Sequence, residues 1–172
     1  MNKKDFDIGE EIRCWGVCIP ENAATEVAKT LKSTWINTGK KEKEFRQKIC
    51  KRFKAPYAIA CMSGTSALKI ALRALGVGPG DEVVSTPFTF IATNTSILEV
   101  GAKPVFADIQ YDTLNIDPKS VEEKITDKTK AIMCVHYAGN PVDLDELRAI
   151  ADKYNLPIIE DSAHAMTSEY KG

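Results

Sequence analysis

From residue 56 onward, short apolar runs alternate with stretches of helical periodicity, and this alternation restricts the possible folds more than any other feature. The runs are largely continuous in apolar residues, which is typical of strands that are covered on both faces. They occupy residues 57–61, 82–85, 104–107, 131–135 and 157–159. Strands separated by helices form a mostly parallel sheet with helices on both faces, so the sequence predicts an α/β fold.

Two amphipathic helices are predicted before the first of these runs. Asn22 is expected to begin the first helix as its N-cap, and apolar residues follow at helical spacing until the Thr-Gly pair at 38–39 breaks the pattern. The second helix carries Phe45, Ile49 and Phe53 on one face. Both helices therefore have an apolar side that is available for packing.

Helix boundary signals also separate the later runs. Residues 66–75 are apolar nearly all round, which predicts a buried helix, and the glycine-rich turn at 76–81 ends it. Asp117 followed by Pro118 is typical of an N-cap and a first helical residue. Asp143 is expected to begin another helix in the same way.

The charge balance and the apolar pattern exclude several classes of protein. A formal net charge of −1 argues against binding nucleic acid or a membrane surface through bulk charge. No apolar run approaches the roughly 18 residues that a membrane span requires. Residues 1–20 contain acids and no apolar segment, so they are interpreted as an extended arm rather than a signal peptide.

The five cysteines are irregularly spaced along the chain. An odd number of cysteines without a secretion signal is typical of reduced thiols, so we expect a cytoplasmic protein. Cys14 and Cys18 have the spacing of a metal-binding pair, but no second cysteine or histidine pair lies near them in the sequence. No metal site is therefore predicted.

The first apolar run leads into a hydroxyl-rich segment at the start of a helix. In a parallel sheet, ligands bind at the carboxyl ends of the strands. Ser63, Gly64 and Thr65 would place hydroxyl and backbone N–H groups there, and such a helix N-terminus binds phosphate. The alternative is that Ser63 only caps the helix. Because the segment is neither a dinucleotide fingerprint nor a Walker loop, any phosphate would belong to a smaller cofactor.

Aromatic and acidic residues follow two other runs. Phe88 and Phe90 lie where a phenylalanine can stack on a flat ring, although core packing is expected for one of them. Asp161 follows the last apolar run and would need a partner such as a cationic ring nitrogen, the alternatives being a helix cap or a metal ligand. His164 is predicted either to face the same cleft or to have a structural role.

Eight stretches of the chain, taken together and in order, resemble the DegT/DnrJ/EryC1/StrS family of sugar aminotransferases. The resemblance extends from about residue 19 to residue 172 and implies the fold of aspartate aminotransferase. The stretches are 35–39, 63–68, 78–83, 89–93, 101–106, 115–118, 135–139 and 159–165.

The resemblance implies pyridoxal phosphate as the cofactor and a two-substrate reaction. In the family, the cofactor takes an amino group from a donor, usually glutamate, and passes it to a nucleotide-linked keto-sugar in polysaccharide biosynthesis. Gly64 and Thr65 would hold the cofactor phosphate, with Ser63 nearby. The full-length protein would be a homodimer, and Thr38 would lie near the site at the dimer interface.

The resemblance also assigns roles around the pyridine ring. Phe90 would stack on one face of the ring and Ala163 would pack against the other. Asp161 would pair with the ring nitrogen. His164 occupies a position that is usually glutamine, near the phenolic oxygen, where histidine can still donate a hydrogen bond.

The Schiff-base lysine of the family is not identifiable in this chain. The resemblance implies that it follows the strand after the Asp161 motif, beyond Gly172, whereas Lys171 belongs to a loop motif. Residues 21–172 are therefore expected to be the N-terminal part of a large cofactor-binding domain, without its later strands and the C-terminal small domain. Such a fragment would be inactive, and its strand at 57–61 would lack its usual neighbour and promote aggregation.

Three other functions remain compatible with these motifs to different degrees. Some relatives carry histidine in place of the lysine and dehydrate sugars instead. A non-catalytic domain that binds pyridoxal phosphate is the second possibility. A doubly wound nucleotide-binding enzyme is the third, but no glycine fingerprint follows the first apolar run.

Overall fold

The chain divides after residue 60 into two compact units, and the computed structural model describes residues 19–172. Cys14 and Cys18, the pair considered for metal binding, lie outside the described residues, as does the predicted arm except for its last two residues. In the part of the chain that is described, no helix is both long and apolar enough to cross a membrane.

The described part of the first unit contains the two predicted amphipathic helices. Helix α1 spans Ala23–Lys32 and helix α2 spans Lys40–Phe53. Asn22 is the N-cap of α1, as predicted, although its side chain makes no capping hydrogen bond. Neither helix contains a buried residue.

A four-stranded parallel sheet forms the centre of the second unit. Its strands are β1 (Glu82–Ser85), β2 (Lys103–Phe106), β3 (Thr129–Val135) and β4 (Ile158–Asp161), in the order β2-β1-β3-β4. All three strand pairs are parallel. Four of the five predicted strands and the parallel sheet are thus confirmed, with shifts of at most two residues at the strand ends.

The prediction of a strand at 57–61 is wrong. This segment has no regular secondary structure, and the side chains of Tyr57 and Ile59 are mainly exposed. A strand is stabilised by hydrogen bonds to a neighbouring strand. In the described residues, β1 to β4 pair only with one another, so the apolar pattern at 57–61 has no strand to pair with.

Helices cover both faces of the sheet, as the α/β prediction requires. They are α3 (Gly64–Ala74), α4 (Ala92–Glu99), α5 (Pro118–Lys124) and α6 (Leu144–Tyr154). Helices α3 and α4 pack on one face and α5 and α6 on the other, with a separate apolar cluster under each pair. The boundaries of α4 were not predicted from the sequence.

The caps of α5 and α6 agree with the sequence, whereas the burial of α3 does not. Asp117 accepts a hydrogen bond from the Lys119 amide at 3.1 Å, and Asp143 accepts one from the Glu146 amide at 3.3 Å. In α3, only Leu68 and Leu72 are buried. The prediction of a buried helix is therefore wrong, because α3 contacts the sheet through one face only.

The turns that follow α3 and α4 meet at one edge of the sheet. A Cβ atom built on Gly101, just after α4, would lie 2.9 Å from Cγ of Pro79, in the turn after α3. The Lys103 amide, at the start of β2, also donates to the Asp81 carbonyl at 3.0 Å. Both helices therefore begin at the opposite side of the sheet, where the carboxyl ends of the parallel strands lie. This side is called the strand-end edge below.

Candidate functional site

The candidate site lies along the edge at which the four strands end. Because the strands are parallel, the residues after β1, β3 and β4 share this edge with the N-termini of α3 and α4. Thr93 in the first turn of α4 donates to Asp161 at the end of β4, which fixes both elements at the same place. The sequence-predicted groups Thr65 and Asp161 are thus on one edge of the sheet.

Ser63 is the N-cap residue of α3. Its backbone is extended, with φ −160° and ψ 159°, and its Oγ accepts a hydrogen bond from the Ser66 amide at 3.2 Å. The capping role considered for Ser63 is therefore correct. Since the first residues of a helix have no intrahelical acceptor for their N–H groups, Gly64 and Thr65 present donors ahead of α3. A Cβ atom built on Gly64 would meet no described atom within 4 Å, so space for a ligand is open there.

Asp161 is the last residue of β4, and both of its carboxylate oxygens accept hydrogen bonds. Thr93 Oγ1 donates to Oδ2 at 2.9 Å, and the Ala163 amide donates to Oδ1 at 3.2 Å. Asp161 itself is half-buried, whereas Thr93 is 1% exposed. A carboxylate oxygen can accept more than one hydrogen bond, so the group retains capacity for a cationic ring nitrogen.

The two phenylalanines after β1 have different environments. The ring of Phe88 lies 4.7 Å from the ring of Tyr137, centroid to centroid, in a tilted arrangement. Phe90 is 73% exposed. Phe88 is 38% exposed and belongs to neither apolar cluster, so the core packing expected for one of the two phenylalanines is not found. Phe90 is the more exposed of the two and presents a ring surface at the strand ends.

Ala163 and His164 follow Asp161 in the turn after β4, and both are exposed. The amide of Ala163 is committed to Asp161. The ring of His164 approaches the ring of Tyr137 edge-on at 6.3 Å. His164 therefore joins Phe88 and Tyr137 in a small aromatic cluster at the strand ends.

A buried histidine that was not singled out from the sequence also links the ends of β3 and β4 at this edge. His136, directly after β3, accepts a hydrogen bond at Nδ1 from the Val142 amide at 3.1 Å. Its Nε2 therefore carries the proton and donates to Glu160 Oε2 at 3.0 Å. This hydrogen bond lowers the pKa of the Glu160 carboxyl, against a smaller opposing effect of burial. The only sequence signal was the position of His136 within the matched stretch 135–139.

The groups at this edge suit a phosphorylated aromatic cation better than a metal ion. Helix N–H donors, an exposed aromatic ring and a half-buried carboxylate complement a phosphate, a flat ring and a positive charge, respectively. Among the residues that the structure describes, no three His, Cys, Asp or Glu side chains are grouped as metal ligands would be.

Known proteins are similar to this chain in sequence and in fold. The DegT/DnrJ/EryC1/StrS aminotransferase family matches residues 17–172. An uncharacterised protein of Methanocaldococcus jannaschii is 46% identical over 155 residues, which are 90% of this chain and 40% of that protein. An aminotransferase from Psychrobacter cryohalolentis is 45% identical with a TM-score of 0.87, over 90% of this chain and 40% of that one.

A further solved structure, a proposed sugar aminotransferase from Streptococcus pneumoniae in its pyridoxal-phosphate form, is 40% identical with a TM-score of 0.85. The match covers 90% of this chain and 43% of that one. These likenesses confirm the predicted fold class. The chain spans about two fifths of the length of the relatives it matches.

Proposed function

Because the chain belongs to the DegT/DnrJ/EryC1/StrS aminotransferase family, we propose that the full-length protein transfers an amino group to a keto-sugar with pyridoxal phosphate. The observation that carries the proposal is the shared edge of the α3 N-terminus and Asp161, which offers a phosphate site and a ring-nitrogen partner together. Glutamate is the proposed donor and a nucleotide-linked keto-sugar the proposed acceptor. We also propose a cytoplasmic homodimer that serves polysaccharide biosynthesis.

The start of α3 would hold the cofactor phosphate. The backbone N–H groups of Gly64 and Thr65 lie at the start of the helix, and the Thr65 hydroxyl would add a further donor. Ser63 Oγ accepts from the Ser66 amide, so Ser63 would fix the first turn of the helix beside the phosphate. The open space in front of Gly64 supports this assignment.

Four residues would surround the ring. Phe90 offers its exposed face for stacking, and the small side chain of Ala163 allows close approach from the other side. Asp161 would accept from the ring nitrogen, and His164 would donate to the phenolic oxygen. When bound, the cofactor supplies an electron sink for the charge that develops when the substrate carbon loses its proton. Asp161 contributes by keeping the ring nitrogen protonated.

The proposal assigns no catalytic lysine to these 172 residues. In the family, a lysine moves the proton between cofactor and substrate carbon. The described residues are instead proposed to bind and orient the cofactor. The activity therefore belongs to the full-length protein.

An absorbance titration with pyridoxal phosphate tests the site. We expect saturable binding to the wild-type chain and at least tenfold weaker binding to Asp161→Ala, because a charge-assisted hydrogen bond is lost. Asp152→Ala makes the same change at an exposed position in α6 and should bind like the wild type. Equal binding by all three proteins, or no saturable binding by the wild type, would refute the assigned site.

A further inference from the structure

Two threonine hydroxyls form a short hydrogen-bonded relay that ends on Asp161. Thr89 Oγ1 and Thr93 Oγ1 are 2.9 Å apart, and Thr93 Oγ1 donates to Asp161 Oδ2 at 2.9 Å. A hydroxyl has a single proton, so Thr93 can donate to Asp161 only if Thr89 is the donor in the other hydrogen bond. The relay therefore runs in one direction, from Thr89 through Thr93 to the carboxylate.

The relay fixes the orientation of the Asp161 carboxylate. Oδ2 is held by Thr93 and Oδ1 by the Ala163 amide, so rotation of the carboxylate would break two hydrogen bonds at once. Thr93 is itself held firmly, because its amide donates to the Phe90 carbonyl at 3.0 Å and its carbonyl accepts from Ser96 Oγ at 2.8 Å. The hydrogen bond from Thr93 thus fixes the Asp161 side chain, at the end of β4, relative to the first turn of α4.

Burial determines the kind of role that Thr93 can have. With 1% of its surface exposed, Thr93 cannot itself offer a hydrogen bond to a ligand at the strand ends. Asp161, its acceptor, is only half-buried. Any effect of the Thr93 hydroxyl on a ligand must therefore act through Asp161.

We propose that Thr93 is a positioning residue that holds the Asp161 carboxylate in the orientation needed to pair with the ring nitrogen of bound pyridoxal phosphate, with Thr89 orienting the Thr93 hydroxyl. The inference rests on the proposed function, and it gives a role to two residues of the matched stretch 89–93 that had none. A carboxylate that is fixed before the ligand arrives loses less conformational freedom on binding than a mobile one. This gain in binding free energy depends on the hydroxyl of Thr93 and not on the rest of its side chain.

The experiment compares Thr93→Val, which is nearly isosteric but lacks the hydroxyl, with Thr93→Ser, which restores it. Thr95→Val makes the same change two residues further along α4, at a half-buried position, and serves as the matched control. Affinity is measured by absorbance titration with pyridoxal phosphate. Protonation of the ring nitrogen is measured from the ¹⁵N resonance of labelled cofactor, and folding from circular dichroism.

We expect Thr93→Val to bind about tenfold more weakly, as for one lost hydrogen bond to a charged group. Its ring-nitrogen resonance should shift toward the unprotonated form. Thr93→Ser should remain within about twofold of the wild type and Thr95→Val unchanged. If Thr93→Val fails to fold, Thr89→Val provides the second test, with an expected loss of about threefold.

The possible results distinguish failure of the positioning role of Thr93 from failure of the proposed cofactor site. Wild-type affinity and an unchanged nitrogen resonance in Thr93→Val, while Asp161→Ala has lost both, would overturn the positioning role and leave the proposed function intact. Equal losses in Thr93→Val and Thr95→Val, or no rescue by Thr93→Ser, would also overturn it. If the wild type shows no saturable binding, the proposed function fails and the positioning role fails with it.

Discussion

Replacement of Gly101 by alanine should destabilise the second unit through two separable effects. Gly101 has φ +89°, a conformation that costs an L-residue about 1–2 kcal/mol. The new Cβ would also lie 2.9 Å from Cγ and 3.2 Å from Cδ of Pro79, and this rigid ring has little freedom to move aside. Overpacking of this kind costs about 1–3 kcal/mol. The free energy of unfolding should therefore fall by about 2–5 kcal/mol.

Gly80 provides a control in which only the backbone effect is present. It has φ +92°, but a Cβ atom built there would meet no described atom within 4 Å. Gly80→Ala should consequently lose only about 1–2 kcal/mol. Urea unfolding of the wild type and both variants, followed by circular dichroism, measures the difference. Equal losses in the two variants would refute the additional cost that is assigned to the contact between Gly101 and Pro79.

Two further predictions concern groups with shifted pKa values. The pKa of Glu160 lies below its ordinary 4.5 because His136 donates to it, so its stabilising effect is present above about pH 4.5 and is lost as the pH falls through the lowered value. Glu160→Gln should flatten the dependence of the urea midpoint on pH in this range. Glu169→Gln changes an exposed residue and should leave this dependence as in the wild type. The same pH dependence in Glu160→Gln and in the wild type would contradict this prediction. Burial raises the pKa of the Cys134 thiol to about 12, so Cys134 should resist a thiol reagent at pH 8 until urea unfolds the protein. Mass spectrometry of labelled peptides checks this, and labelling in the folded protein at the rate of the exposed Cys61 would refute it.

Local sequence pattern was enough to single out some of the site residues. Ser63 is a cap because its oxygen reaches an amide three residues away, and Asp161 lies two residues beyond the apolar run at 157–159. Thr93 and His136 were missed because their partners are distant in sequence. The Thr93–Asp161 hydrogen bond spans 68 residues and the His136–Glu160 hydrogen bond spans 24.

The choice between Phe88 and Phe90 could not be made from the sequence for a similar reason. Both are phenylalanines in the same turn, and local pattern does not distinguish them. The ring of Tyr137, which follows a different strand, packs against Phe88 and leaves Phe90 exposed. The packing partner of a side chain in the turn after β1 thus depends on which strand lies next to β1 in the folded sheet.

The sequence by itself determined the elements whose stabilising contacts are local. The capping oxygens of Asp117 and Asp143 act over two or three residues, so the starts of α5 and α6 could be predicted from spacing alone. The apolar runs located β1 to β4 as well, although the hydrogen bonds that stabilise these strands come from distant parts of the chain. Only the tertiary structure decided that the apolar run at 57–61 does not become a strand, because a strand requires a paired neighbour. The same holds for the orientation of Asp161, because its hydroxyl donor comes from a helix that only the folded sheet brings to the end of β4.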